Sequence, residues 1–165
     1  MEHKQLLTVF NSLPVGIGFF TADGTLVRCN ESFCRIFGAD SQTLLGNKLN
    51  INENSVVPDV VKEAVRRCVP VQMSFLYDFD KQRTDKRFFS TRTRTCYLKC
   101  NGNPLYDNDG KFVNYIFIFE DITETVKSEE VLRQSRRKTE LAMKAANIRF
   151  WEFDAVPKLF YSDNE

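Results

Sequence analysis

The sequence predicts an α+β domain built on an antiparallel sheet of about five strands. Strand-like apolar alternation occurs in two groups, one near the start of the chain and one between residues 71 and 120. Short helical segments with N-cap and C-terminal glycine signals lie between these two groups. Turn signals such as Asp23-Gly24 and Asp109-Gly110 separate strand-like segments, as in antiparallel hairpins.

The first strand group is a predicted hairpin. Residues 15–21 form one strand and residues 26–29 the next, with Gly24 in the tight turn between them. Because side chains alternate along a strand, Ile17 and Phe19 share one face of the first strand. The two glycines of this strand share the other face.

Helices are predicted before the hairpin and between the strand groups. Asn30 is a good N-cap for the helix that follows the hairpin, and Gly38 is a good residue to end it. Pro58 suits the first turn of a later helix, because proline has no N–H to leave unpaired there. The predicted helices cover residues 2–12, 31–37, 41–45 and 58–67.

The second strand group is followed by a long polar segment. Its predicted strands cover residues 71–78, 88–100 and 112–120, with a charged loop at residues 81–86 and a turn at Asn101-Gly102. Residues 124–146 contain no glycine or proline and carry only a sparse apolar stripe. This segment is typical of an exposed helix that gains stability by pairing with a partner helix.

Composition excludes several classes of protein. The 165 residues carry 23 Lys and Arg against 22 Asp and Glu, so the chain lacks the basic excess of a general nucleic-acid binder. No apolar run is long enough for a membrane span, and the start of the chain has no signal-peptide core. The five cysteines lack close pairing, which indicates reduced thiols packed in a core and a cytoplasmic chain without direct membrane contact.

Short motifs in a fixed order resemble those of a PAS domain over residues 1 to about 125. The matching stretches are Leu13-Pro14-Val15-Gly16-Ile17, Asp23-Gly24, Asn30-Glu31-Ser32-Phe33, Phe37-Gly38, Leu45-Gly46, Pro104 with Asp107-Asn108-Asp109-Gly110, and Glu120-Asp121-Ile122-Thr123-Glu124. The resemblance implies a five-stranded antiparallel sheet in the order 2-1-5-4-3. It also implies short helices packed on one face of the sheet and an extended C-terminal helix.

The segments after this region resemble the next parts of a bacterial sensor protein. Residues 126–146 are similar to a signalling or coiled-coil linker helix, and residues 147–165 to the truncated start of a second PAS unit. The resemblance therefore implies a cytoplasmic piece of a longer receptor, most often a two-component sensor histidine kinase that works through a phosphorelay. We expect a homodimer through the N-terminal and C-terminal helices, with the kinase or another output domain downstream in the same polypeptide.

Alternatives to this function remain open at the level of sequence. The module could be a ligand-blind dimerisation spacer, or the sensor part of a diguanylate cyclase or a transcription regulator. The chain itself has no phospho-acceptor histidine motif, ATP-binding glycine box or hydrolase motif, so we expect it to have no catalytic activity.

The resemblance implies two sets of site residues. The first surrounds the space between sheet and helices, which either holds a small apolar ligand or is a filled core. Its members are Ile17, Phe19, Phe33, Phe37, Val61, Val65, Met73, Phe75, Phe117 and Phe119. The second set, Asp121-Ile122-Thr123, stands where the last strand passes into the long helix, and Arg28, Arg35 and Lys48 are candidate salt-bridge partners for Asp121.

No resident cofactor or metal is expected. A haem needs an axial ligand, and the only histidine, His3, lies outside the predicted sheet and helices. The cysteine motif of flavin photosensors of this family is absent. Asp107-Asn108-Asp109-Gly110 lacks the remaining ligands of a calcium loop and is better explained as a turn. The basic residues between Lys81 and Arg94 are expected to form a solvated sheet edge.

Overall fold

The described residues form a sheet flanked by helices. The computed structural model describes residues 2–82, 90–146, 151–154 and 159–162. The helices are α1 (Glu2–Ser12), α2 (Glu31–Phe37), α3 (Ser41–Gly46), α4 (Asp59–Arg67), α5 (Phe79–Gln82) and α6 (Thr123–Ala145). The strands are β1 (Gly16–Phe20), β2 (Leu26–Cys29), β3 (Val71–Asp78), β4 (Thr95–Tyr106), β5 (Phe112–Asp121), β6 (Trp151–Asp154) and β7 (Leu159–Ser162).

The main sheet has the order β2-β1-β5-β4-β3, and its strand pairs are antiparallel. The first and last predicted strand groups therefore meet at the centre, where Gly18 lies opposite Phe117. The predicted fold class and strand order are confirmed.

The start of α2 is fixed by one buried amide. Asn30 has an extended backbone, and its Oδ1 accepts from the N–H groups of Phe33 at 2.9 Å and Ile17 at 2.8 Å. Its Nδ2 donates to the carbonyls of Phe10 and Val15 at 3.0 and 2.9 Å. Asn30 thus caps α2 and also ties that helix to β1 and to the end of α1.

The close packing of α2 on β1 decides which face of β1 is directed towards the core. A Cβ atom at Gly16 would lie 2.9 Å from Cδ1 of Ile36, so α2 approaches this face more closely than a side chain would allow. Ile17 and Phe19 consequently lie on the opposite face, and the expectation that they surround the space between sheet and helices is wrong. Phe19 instead packs against Phe10 of α1, with ring centroids 6.0 Å apart.

Two boundaries of β4 differ from the prediction. Residues 90–94 are irregular rather than strand, whereas Asn101-Gly102 lies within β4 and makes no turn. Gly102 is needed there because a Cβ atom would lie 2.4 Å from Cε1 of Phe117. The part of the predicted strand and charged loop that falls on residues 83–89 lies outside the described residues.

The chain divides into two compact units, Met1–Thr123 and Glu124–Glu165. The first holds the five-stranded sheet and the second holds α6 and the β6–β7 hairpin. None of the side chains of α6 is buried. Among the described residues, no helix combines the length and apolar character that crossing a membrane requires. That residues 147–165 begin a second PAS unit stays a prediction.

Candidate functional site: an aromatic core and a helix start

A small cavity lies between the sheet and the helices of the first unit. It admits about 20 Å³ for the centre of a water molecule, and one water needs roughly 10–15 Å³ on that measure. Small-molecule sites usually offer about 300–1,000 Å³. In this conformation the space therefore has room for about one water. Its lining residues are Phe20, Phe33, Phe37, Leu49, Ile51, Asn54, Val57, Val61, Phe75, Tyr77 and Phe119.

Aromatic rings from both layers fill most of this space. Phe37 of α2 contacts the ring of Tyr77 on β3 edge-on at 5.5 Å and the ring of Phe119 on β5 at 5.2 Å between centroids. Phe33 lies 4.5 Å from Phe37, one helical turn away. These tilted and edge-on geometries are the favoured ones for aromatic pairs, so the rings stabilise the core while they occupy its volume.

The polar end of the cavity is a buried chain of three side chains. Asn54 donates from Nδ2 to the Tyr77 hydroxyl at 3.2 Å, and that hydroxyl donates to Oε1 of Gln82. Tyr77 is 1% exposed and Gln82 is 3% exposed. Burial raises the pKa of Tyr77, although the hydrogen bond that Asn54 donates to the hydroxyl acts in the opposite direction. The phenol is thus held neutral and fully hydrogen-bonded.

The predicted pocket residues divide into three groups. Phe33, Phe37, Val61, Phe75 and Phe119 line the cavity. Val65, Met73 and Phe117 belong to the surrounding core without lining it. Ile17 and Phe19 lie on the other face of the sheet, as described above.

Several lining residues were missed, and the strand period places two of them on the inner face once packing has shown which face that is. Phe20 is two residues from Gly18 and therefore shares the glycine-lined face of β1 that α2 covers. Tyr77 follows Phe75 by the same period. Leu49, Ile51 and Val57 come from the irregular segment between α3 and α4, where no periodicity predicts which side chains turn inward.

The end of β5 and the start of α6 are joined by a compact hydrogen-bond group. Asp121 accepts at Oδ1 from the Thr123 backbone N–H at 3.1 Å and from the Thr123 hydroxyl at 2.5 Å. The Thr123 hydroxyl in turn accepts from the N–H of Tyr97 at 2.9 Å, and the Ile122 N–H donates to the Tyr97 carbonyl at 2.9 Å. The first residue of α6 is thus bound to β4 as well as to β5.

Arg92 is the salt-bridge partner of Asp121. Both of its terminal nitrogens lie 3.0 Å from Oδ2 of Asp121, and Nη1 also donates to the Ile36 carbonyl at 2.9 Å. The expected partners, Arg28, Arg35 and Lys48, do not make this contact. Arg92 belongs to the basic segment that sequence reasoning assigned to a solvated edge. Because residues 90–94 leave the strand geometry, Arg92 is free to reach across to the end of β5.

The carboxylate of Asp121 is stabilised in its ionised form. Burial raises its pKa, but the hydrogen bonds from Thr123 and the Arg92 guanidinium together outweigh burial and hold the pKa below its ordinary value. The side chains of Arg92 and Asp121 are 36% and 27% exposed, so water still weakens this ion pair. The bridge therefore fixes geometry more than it adds stability.

One aromatic ring lies between the core and this ion pair. The Arg92 guanidinium stands over the Phe79 ring at 5.2 Å, and Phe79 packs against Tyr77 at 4.9 Å between centroids. Tyr77 lines the cavity. A continuous set of contacts thus runs from the cavity wall through Phe79 and Arg92 to Asp121.

Other candidate sites resolve into ordinary structure. Asp107 accepts from the N–H groups of Asp109 and Lys111 at 3.0 and 2.8 Å, as a turn aspartate does. In the described part of the chain, no group of three or more His, Cys, Asp or Glu residues has the geometry to hold a metal ion. Cys96 and Cys100 are buried core thiols, whereas Cys29, Cys34 and Cys68 are only partly buried.

Known proteins share the fold of this chain. The family model described as PAS fold matches residues 10–127. A probable diguanylate cyclase, DgcE of Escherichia coli strain K12, is 22% identical over 149 residues, which are 90% of this chain and 13% of that protein. The chain thus spans only a small part of this relative's length.

Two solved structures show the same fold at low identity. One is an RNA-binding light-oxygen-voltage receptor, with a TM-score of 0.61 and 17% identity over 85% of this chain and 38% of that one. The other is a domain of the sensory box sensor histidine kinase/response regulator from Geobacter sulfurreducens, with a TM-score of 0.50 and 15% identity over 73% of this chain and 94% of that one. Together with the family match, the strand order 2-1-5-4-3 and the packing of α2 on β1 identify the chain: it belongs to the PAS-fold family.

Proposed function

We propose that this chain is a sensory and relay module of a signal-transduction protein. In this proposal, a change in the aromatic core alters the hydrogen bonds that begin α6, and an output domain elsewhere in the polypeptide responds. The single observation that carries the proposal is the position of Arg92, which contacts both the Phe79 ring and Asp121. A rearrangement of Tyr77 at the cavity wall reaches Thr123 through three side chains, those of Phe79, Arg92 and Asp121.

The first step of the relay takes place at Tyr77 and Phe79. Both rings are almost fully buried at 1% exposure, so one cannot move without displacing the other. A shift of Phe79 removes the surface on which the guanidinium of Arg92 stands. Arg92 would then change its hold on Asp121, whose other oxygen holds Thr123.

A small cavity limits what the core can bind. With about 20 Å³ available, any ligand larger than a water must displace rings such as Phe75 or Tyr77. This favours the second candidate function, a ligand-blind dimerisation and spacer module. Native mass spectrometry of protein purified from cells separates the two candidates. A retained small molecule supports ligand sensing, and bare protein together with no thermal shift across a metabolite library supports the spacer.

The relay itself is tested with an engineered cavity. Phe75→Ala opens space in the wall, and benzene serves as the probe that refills it. We expect benzene to raise the melting temperature of this variant and to slow hydrogen exchange of the amides at residues 122–126. In Phe75→Ala/Arg92→Ala, benzene should still raise the melting temperature, but the change in exchange should disappear.

A matched control keeps this test specific. Lys99→Ala removes an exposed ion pair with Glu120, 4.0 Å long, on the strands next to the site. In Phe75→Ala/Lys99→Ala, the exchange response should persist. If the response survives in the Arg92 variant, the proposed route through Arg92 is wrong. Should Phe75→Ala fail to fold, the smaller truncation Phe75→Leu takes its place.

The output domain and assembly are also proposals. The DgcE resemblance supports a diguanylate cyclase as the parent protein, and the Geobacter structure supports a sensor histidine kinase. Val131, Leu132 and Leu141 of α6 are more than half exposed, which supports pairing of two α6 helices in a homodimer. Light scattering should then give about twice the 19.2 kDa of one chain, and Leu132→Glu should return the mass to one chain.

A further inference from the structure

Cys29 and Cys34 form a close pair of thiols at the junction of β2 and α2. Cys29 is the last residue of β2 and Cys34 lies in the helix that Asn30 caps. Their sulfur atoms are 3.8 Å apart. Both residues are partly buried, whereas Cys96 and Cys100 on β4 are fully buried. We propose that this pair is a redox-modification site that closes to a disulfide within the folded domain.

The geometry favours closure between these two cysteines. A disulfide needs a sulfur–sulfur distance of about 2.05 Å, so the two sulfurs must approach each other by less than about 2 Å. Cys68, the third partly buried cysteine, lies at the end of α4 with its sulfur near the Val65 carbonyl at 3.7 Å. Cys96 and Cys100 lie four residues apart on β4, roughly 13 Å along the strand.

The position gives the modification a structural consequence. The bond would bridge the residues on either side of the Asn30 cap, which holds backbone groups of α1, β1 and α2. The Cys29–Cys34 disulfide would therefore brace the point at which α1 is tied to the domain. In the reduced form, that point depends on the Asn30 amide and on the Ser32 hydroxyl, which donates to the Leu13 carbonyl.

The oxidant that this step requires is a low-molecular-weight disulfide such as glutathione disulfide. One cysteine loses its proton and its sulfur attacks glutathione disulfide, whose S–S bond breaks to release one glutathione. The second cysteine sulfur loses its proton, attacks the protein sulfur of the mixed disulfide and releases the second glutathione. The pair loses two electrons and two protons, and one glutathione disulfide is reduced to two glutathione molecules.

The protonation of the thiols affects the rate of this step. Burial raises the pKa of Cys29 to about 12, and the nearby Cys34 adds to the rise. Burial also raises the pKa of Cys34. Because the thiolate is the attacking form, we expect slow exchange, on a scale suited to a sustained change of redox conditions rather than to a rapid response.

The test is an equilibrium with glutathione buffers, measured on the folded chain and on the same chain unfolded in urea. Free thiols are first blocked with N-ethylmaleimide, and the chain is then cleaved after Glu31. This cleavage places Cys29 and Cys34 on different peptides, which stay joined only if a disulfide connects them. We expect the joined peptides from folded protein. The equilibrium constant for the disulfide should be at least about tenfold larger in the folded chain than in the unfolded chain, which corresponds to about 30 mV.

Two variants and one contrary result complete the test. Cys68→Ser should leave the tenfold ratio of the folded to the unfolded equilibrium constant unchanged. Cys34→Ser should abolish the joined peptides, and circular dichroism shows whether this variant folds. If Cys34→Ser does not fold, the comparison of folded and unfolded wild-type chain decides alone. An equilibrium constant no larger in the folded chain, or oxidation only to glutathione adducts and disulfides between chains, would overturn the proposal.

Discussion

Asn30 shows how much a single side chain organises in this domain. It is 1% exposed, and its amide satisfies four backbone groups from three parts of the chain. A residue of this kind cannot be replaced without leaving several of those groups unpaired in the interior. Sequence reasoning recognised Asn30 as a helix cap but not as the tie to α1.

We expect Asn30→Ala to destabilise the domain by about 2–4 kcal/mol, because it removes a cap and leaves buried N–H groups without acceptors. Asp40→Ala is the matched control. Asp40 caps α3, and its side chain bonds to Thr43 at the start of the same helix rather than to other elements, so its loss should cost about 1 kcal/mol. Urea unfolding of both variants measures the difference, and equal losses would mean that the bonds to α1 and β1 contribute nothing.

Asp121 gives a prediction for pH. Its pKa is lowered in the folded chain, so its stabilising effect is complete above the unfolded value of about 3.9 and is lost as the pH falls through the folded value. When the pH is lowered from neutral to strongly acidic, the free energy of unfolding of Asp121→Asn should therefore fall by less than that of the wild-type chain. Urea unfolding across that range measures this, with the exposed turn variant Asp109→Asn as the control. An unchanged pH dependence in Asp121→Asn would contradict the assigned role of the carboxylate.

At the scale of elements, the glycines on the inner face of the sheet allow aromatic rings to lie flat against the backbone. Gly102 of β4 lies opposite Phe117 of β5, whose ring stacks on Phe119 at 5.5 Å. The dipeptide Asn101-Gly102 is a turn signal in most sequences, yet here it continues a strand. The reason is tertiary, because the space above Gly102 is taken by the Phe117 and Tyr115 rings.

Gly102→Ala should destabilise the domain by about 1–3 kcal/mol, since its Cβ would lie 2.4 Å from the Phe117 ring and force the core to shift. Gly46→Ala, at the end of α3, is the control because nothing lies within 4 Å of the added atom. That change should be neutral or stabilise by up to about 1 kcal/mol. Thermal and urea unfolding check both, and a tolerated Gly102→Ala would show that the rings move aside easily.

The whole molecule consists of a unit with its own core and a second unit built around a long polar helix. All five strands of the main sheet and the aromatic cavity belong to residues 1–123. In contrast, α6 buries no side chain. A helix without buried side chains contributes little to the stability of the first unit, and the proposed pairing with a second α6 helix would supply the stability that such a helix lacks alone.

A chain shortened to residues 1–127 should therefore fold alone. We expect a cooperative melt within about 5 °C of the full chain, because the core residues that the structure describes all lie before residue 123. Circular dichroism at 222 nm, roughly the helix minimum, and near-ultraviolet signals from the buried tyrosines should change together. A broad melt without near-ultraviolet change would mean that the second unit supports the first.

Local sequence determined several elements of this protein, although not α5 or the bounds of β4. Asn30 and Gly38 set the ends of α2 by capping and by a left-handed backbone with φ of 64°, and the turn at Gly24 required a positive φ of 87°. The period of two gave β3 and β5 their bounds to within a residue. These features depend on neighbours in the chain, so the sequence alone is sufficient to predict them.

Tertiary packing decided the rest. Phe20 rather than Phe19 faces the cavity because the glycines of β1 let α2 approach on that side, and Arg92 rather than Arg28 binds Asp121 because residues 90–94 leave the sheet. The 3.8 Å contact of Cys29 with Cys34 likewise depends on the angle between β2 and α2. Each of these contacts joins two different segments, and the distance between them depends on how the sheet and the helices pack. The apolar periodicity within one segment carries no information about that distance.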